Sequence, residues 1–118
     1  MSSMALVEGP GGVLAAFETR GQIFLARIRP GTNSFSRPQG APGTPNGRKH
    51  PALAFNREGA SLLAWTEGTG WNQGGTLAWQ VYDPSGRPTA RHGRLEGAIP
   101  VWGLPAVVAT GDGFTILY

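Results

Sequence analysis

Cysteine is absent from this 118-residue chain, and with it any disulfide framework, thiolate nucleophile or cysteine-based zinc site. Charge is sparse as well: 14% of the residues are Asp, Glu, Lys or Arg, seven acidic and ten basic, for a formal net charge of +3. No apolar run approaches the ~20 residues of a membrane-spanning helix, so no membrane span is expected. The segment from Met1 to Pro10 lacks the basic start, apolar stretch and small-residue cleavage site of a secretory leader. Gly or Pro interrupts nearly every window in which an amphipathic helix could form. Metalloprotease, nucleotide-phosphate and calcium-loop motifs are all missing. Gly68-Thr69-Gly70 with Gly74 has the wrong spacing for a dinucleotide loop, and no helix follows it. The expectation is therefore a chain without metal or cofactor.

What the chain does contain is 19 Gly and 10 Pro, together about a quarter of its length, alongside four Trp and five Phe. So much Gly and Pro with enough apolar mass for a core reads as many short strands joined by tight turns. The length allows one domain at most, or part of one.

An internal repeat organises the strands. Pro51-Ala52-Leu53-Ala54-Phe55, a Gly59 turn and Ser61-Leu62-Leu63-Ala64 recur 54 positions later as Pro105-Ala106-Val107-Val108-Ala109, a Gly113 turn and Thr115-Ile116-Leu117-Tyr118, without a gap. Leu14, Ala16 and Phe17 correspond to Leu62, Ala64 and Trp65, and more weakly Phe24, Ile28 and Gly40 correspond to Leu77, Val81 and Gly93. The best-defined unit reads as four strands, at Ala52 to Phe55, Ser61 to Thr66, Thr76 to Tyr82, and Pro88 to Leu95. Asn56-Arg57-Glu58-Gly59 and Asp83-Pro84-Ser85-Gly86 suit tight reversals between them. The second strand is apolar at consecutive positions, Leu62 to Trp65, so both of its faces are expected to be buried. The fourth carries Arg87, Arg91, His92 and Arg94, as a solvated outer edge should.

A four-stranded unit of about 50 residues, buried in the middle and charged at one edge, fits a β-propeller blade. The all-β chain would then hold about two and a quarter blades: an incomplete first blade over residues 12–50, a complete one over 51–98 and the start of a third over 99–118. Propellers use four to eight blades. Completion by further blades or by self-association is expected, because the open faces and unpaired edges of a partial ring are sticky.

Three segments carry a resemblance: Gly47-Arg48-Lys49-His50-Pro51, Leu63-Ala64-Trp65-Thr66-Glu67-Gly68-Thr69-Gly70-Trp71, and Ala78-Trp79-Gln80-Val81-Tyr82-Asp83. From about Gly12 to Tyr118 the chain resembles the carboxy-terminal blades of bacterial sialidase-like proteins with BNR-type repeats. The resemblance implies a six-bladed propeller, generally exported and linked to glycan processing or recognition. The family's catalytic set of three arginines, a Tyr with a Glu partner and an acidic acid/base residue does not map onto two blades. Its Asp-box is broken, since Asp83-Pro84-Ser85-Gly86 has one residue too many between Asp and Gly and no Trp follows.

In a propeller the loops joining second to third strands emerge on the same face as those joining one blade to the next. That places Glu67, Trp71, Asn72 and Gln73 beside Arg48, Lys49 and His50, with Trp102 on the other side. Aromatic faces flanked by Arg, Asn and carboxylate suit sugar recognition, the ring stacking on C–H groups while polar groups orient hydroxyls. The expected ligand-binding set is Arg48, His50, Glu67, Trp71, Asn72 and Trp102. Each has a plainer alternative: Trp71 as a loop plug, Trp102 as a core residue, Arg48 as a solvated cation, His50 as a hydrogen-bonded strand residue. Trp65 and Trp79, within strands, are expected in the core. A glycosidase needs two carboxyl groups facing one bond, and only Glu67 and Glu18 fall near this face. The primary expectation is thus a non-catalytic glycan-binding propeller fragment. The rivals are an exo-sialidase completed by further blades or copies, and a protein-interaction scaffold. The basic residues are dispersed without interleaved stacking aromatics, so no nucleic-acid partner is expected.

Overall fold

The computed structural model describes residues 3–118 and contains strands and turns with no helix. Three antiparallel sheets follow one another along the chain, each built only from consecutive strands. The first has the order β1 (Met4–Gly9), β2 (Gly12–Thr19), β3 (Gln22–Ile28) and β4 (Gln39–Gly40); the second has β5 (Arg48–Phe55), β6 (Ser61–Glu67), β7 (Gly75–Tyr82) and β8 (Pro88–Ile99). A hairpin of β9 (Ala106–Thr110) and β10 (Gly113–Leu117) forms the third. The sheets stack as layers and do not close into a barrel.

The first core lies between the first and second sheets, where Leu14, Ala16, Ile23 and Leu25 meet Leu63, Trp65, Ala78 and Tyr82. A second core lies between the second and third sheets, where Leu62, Ala64, Leu77, Val81 and Ile99 receive Val107, Phe114 and Ile116. Strand β6 contributes to both, and all seven of its residues are buried. Its consecutive apolar residues are therefore explained by a layer on each side.

Four expectations change in detail. The first sheet has an additional strand, β1, ahead of Gly12, and its fourth strand is only Gln39–Gly40. β5 begins at Arg48 rather than Ala52, passing through a bulge between Lys49 and Ala52. β8 continues past Leu95 to Ile99, which pairs with Gly75 and is buried in the second core. Finally, the 54-residue repeat is not gap-free in space. Leu53 pairs with Leu63, and its counterpart Val107 pairs with Ile116, so β9 keeps the 54-residue offset while β10 slips to 53. The shorter β9–β10 turn causes the slip, and in a strand one residue exchanges the two faces. Ile116 consequently points back into the core like Leu63, and not forward like Leu62. The weaker correspondence through β3 is off by one for the same reason: Ile28 pairs with Val13 as Tyr82 pairs with Ser61.

Two local devices hold these layers. Gly93 pairs with Trp79, whose indole lies where a Cβ would stand, so the ring covers a glycine inside a strand. Asn56 is buried after β5; its Oδ1 accepts from the N–H groups of Glu58 and Ala60, and its Nδ2 donates to the Asp112 carbonyl at 2.7 Å. One side chain thus closes its own turn and fastens the second sheet to the β9–β10 turn. Asn56→Ala is expected to cost about 1–3 kcal/mol, because three bonded groups lose their partner; urea denaturation reads this as a lower midpoint.

The outer faces of the stack remain apolar. On the first sheet Met4 and Leu6 are exposed, and Phe17 stacks on its cross-strand partner Phe24 at 5.9 Å. On the third sheet Val108 and Leu117 are exposed.

Candidate functional site

The two inter-sheet connections and the β2–β3 and β6–β7 turns meet at one end of the stack. Arg48 N–H donates to the Gly21 carbonyl and Gly68 N–H to the Gly47 carbonyl. These bonds align the three turns.

Arg48 and Glu67, expected to face a ligand, are instead spent on each other. They pair in register across β5 and β6, and each is only 3% exposed. Arg48 Nε donates to Glu67 Oε2 at 3.0 Å, Nη1 to Gln22 Oε1 and the Ala41 carbonyl, and Nη2 to the Pro42 carbonyl. Its guanidinium also lies 4.9 Å from the centre of the Trp65 ring. Glu67 accepts at Oε2 from Trp65 Nε1 and at Oε1 from Arg94 through two bonds of 3.0 and 2.7 Å. Burial, the largest single influence, pushes the Glu67 carboxyl up, but the hydrogen bonds from Trp65, Arg94 and Arg48 together outweigh it and hold it below its ordinary value. This network ties the first sheet to the second and leaves Glu67 no free lone pair directed at solvent. Arg94, read from sequence as a solvated edge residue, is its third member; the signal was its register opposite Ala78, itself opposite Trp65.

His50 sits on the β5 bulge with a left-handed backbone, φ 55°, ahead of Pro51. Its Nδ1 lies 3.5 Å from Ser3 Oγ. Burial leads in pulling its pKa below the ordinary value, Glu18 opposing and Lys49 assisting, which favours neutral imidazole at pH 7. Lys49 Nζ is held by the Thr69 carbonyl.

The tryptophans behave differently. In the β6–β7 loop Gly70 and Gln73 exchange backbone hydrogen bonds of 3.1 Å, leaving Trp71 and Asn72 as the tip of a tight turn. Gln73 Nε2 braces the loop through the Gly68 carbonyl. In the next connection Gly103 N–H donates to the Pro100 carbonyl at 2.8 Å, leaving Val101 and Trp102 at that tip. Trp71 is 86% exposed and Trp102 is 65% exposed, and their rings meet edge to face with centroids 4.9 Å apart. The third residue of each turn has positive φ: 54° at Asn72 and 67° at Trp102. Asn tolerates that conformation, whereas for a ring as bulky as indole it is strained. The two plainer alternatives, a loop plug and a core residue, are excluded by this exposure. Of the six expected residues, the structure brings Trp71, Asn72 and Trp102 together on one exposed surface, buries Arg48 and Glu67 beneath that end, and places His50 at the bulge.

No family model, curated protein or solved structure matches the chain.

Proposed function

We propose that the three sheets are consecutive blades of a propeller-type repeat, and that the Trp71–Trp102 pair is a non-catalytic carbohydrate-binding surface at the end where the inter-sheet connections lie. The observation that carries this reading is two indoles held in water in mutual contact, one of them on a strained backbone. Water-exposed rings gain by covering sugar C–H faces, and the edge-to-face contact fixes their relative orientation at no cost on binding. Asn72, beside Trp71, supplies an amide that can orient hydroxyls. A hydrolase is disfavoured because Glu67 is fully engaged by three donors. The likeness to sialidase-like repeats suggests sialylated glycans as the first class to test.

Tryptophan fluorescence titration with sialyllactose and with neutral oligosaccharides should show saturable quenching. Trp71→Ala should weaken binding about tenfold, roughly 1.4 kcal/mol, with the unfolding midpoint unchanged. Trp102→Gly should lose affinity while stability stays within about 1 kcal/mol of the parent, since relief of the left-handed backbone offsets the glycine's entropy. Unchanged affinity in Trp71→Ala refutes the reading.

The exposed Met4 and Leu6, with the half-buried Phe17 and Phe24 beside them, favour an additional feature of the same proposal, a further apolar layer over the first sheet. By the 48-residue correspondence Phe17 occupies the position of Trp65, and Trp65 is the residue with which the second sheet packs backward onto the first. A second copy or a further blade would fill that place. Light scattering after size exclusion should give a discrete β-rich oligomer for the isolated chain.

A further inference from the structure

Opposite the tryptophans, where the β3–β4 connection approaches the β7–β8 turn, a cleft of about 420 Å³ opens between the first two sheets. Arg27, Arg29, Arg37 and Arg87 line it, and no Asp or Glu does. None of the four makes an ion pair among the described residues, whereas Arg48 and Arg94 both do. The nearby carboxylate, Asp83, is turned onto its own loop, where Oδ1 accepts from Ser85 N–H, Ser85 Oγ and Arg87 N–H. Arg27 is steadied by the Phe55 ring, 5.9 Å from its guanidinium carbon. Ser36 Oγ accepts the Arg27 N–H, which leaves its hydroxyl proton free to donate.

Tyr82 also lines the cleft and is 3% exposed, yet its hydroxyl is buried with no hydrogen-bond partner among the described residues. Burial pushes the phenol up to about 12, with Arg48 opposing in part. At working pH it is a neutral donor. The hydroxyl itself has no surface open to the cleft, so the charge that the cleft offers is that of the arginines.

We propose that this cleft binds a small, multiply charged oxyanion, a phosphate or sulfate ester, with the four arginines neutralising it. Guanidinium groups match the oxygen geometry of such esters. The cleft's volume suits a small molecule, and it has no exposed aromatic rings on which successive bases of a nucleic acid could stack.

The test is a thermal-shift and calorimetric titration of the whole chain with pyrophosphate, inorganic sulfate, a sulfated disaccharide and a short single-stranded oligonucleotide, all at constant ionic strength. The expected result is saturable binding of pyrophosphate or the sulfated disaccharide, whichever binds tighter identifying the ester. Binding should fall at least tenfold in Arg37→Gln/Arg87→Gln and persist in Trp71→Ala, which separates this site from the carbohydrate surface. A response no larger than that to chloride, binding retained in the double variant, or binding confined to the oligonucleotide would each overturn the proposal.

Discussion

Glu67→Gln should destabilise the chain by about 3–5 kcal/mol, because it leaves the buried Arg48 guanidinium without its counter-charge. The substitution keeps the shape and one carbonyl acceptor, so the loss reflects charge more than packing. Arg48 cannot turn to water: Gln22, Ala41 and Pro42 hold its other nitrogens beneath the Trp65 ring. Arg94, half-exposed, can. The same loss should appear on acidification. Glu67 has a folded-state pKa below its ordinary value, so the folded state resists protonation more than the unfolded chain. Its contribution is complete above the unfolded pKa and disappears as pH falls through the lower folded value. Urea midpoints measured from neutral pH down to about pH 3 should converge for parent and Glu67→Gln. Replacing both partners, Arg48→Met with Glu67→Leu, should not recover the stability, because the Ala41 and Pro42 carbonyls and Trp65 Nε1 would then lose their partners. A cost below about 1 kcal/mol for Glu67→Gln would mean that the pair does not hold the sheets together.

Leu63→Ala is expected to cost about 2–5 kcal/mol. Leu63 is fully buried, and its side chain lies in the core shared by the first two sheets. A chain of this length has a total stability of roughly 6–18 kcal/mol, so the loss is a large share of it. How the loss is distributed matters as much as its size. All four tryptophans lie between Trp65 and Trp102, and Trp65 sits in the core shared with the first sheet, so their fluorescence reports the later sheets and that contact, whereas circular dichroism reports all the strands. Coincident transitions shifted to the same lower midpoint are expected if the first two sheets unfold as one unit. Separate transitions would show that the layers fold independently.

Much of the second sheet was legible because its sequence obeys simple rules. Leu62 to Trp65 is continuously apolar, and the two turns around Asn56 and Asp83 carry the side chains that close them. β1 was not legible. Its inward positions are Ala5 and Val7, too few to stand out, and it becomes a strand by pairing along the whole of β2. At the candidate site, residue type led to the right end of the sheets but not to the right partners. An Arg and a Glu at loop margins looked available for a ligand, whereas the register of β5 on β6 set them directly opposite each other under a tryptophan. Trp102 was expected at this end, but its backbone was not legible: the positive φ falls on Trp102 and not on Gly103 beside it. The four arginines of the cleft come from three separate stretches of chain, so no local motif could announce it.

Because each sheet is contiguous in sequence and touches only its neighbours in the stack, the architecture has no thread running from first layer to last. An in-frame duplication of one unit would insert a layer without changing the strand pairing of any other. Copy number in such a gene can drift faster than the residues within each copy. The one-residue difference between the β5–β6 and β9–β10 turns is the kind of scar such a history leaves, tolerated because a single hairpin re-registers locally while its neighbours keep their faces.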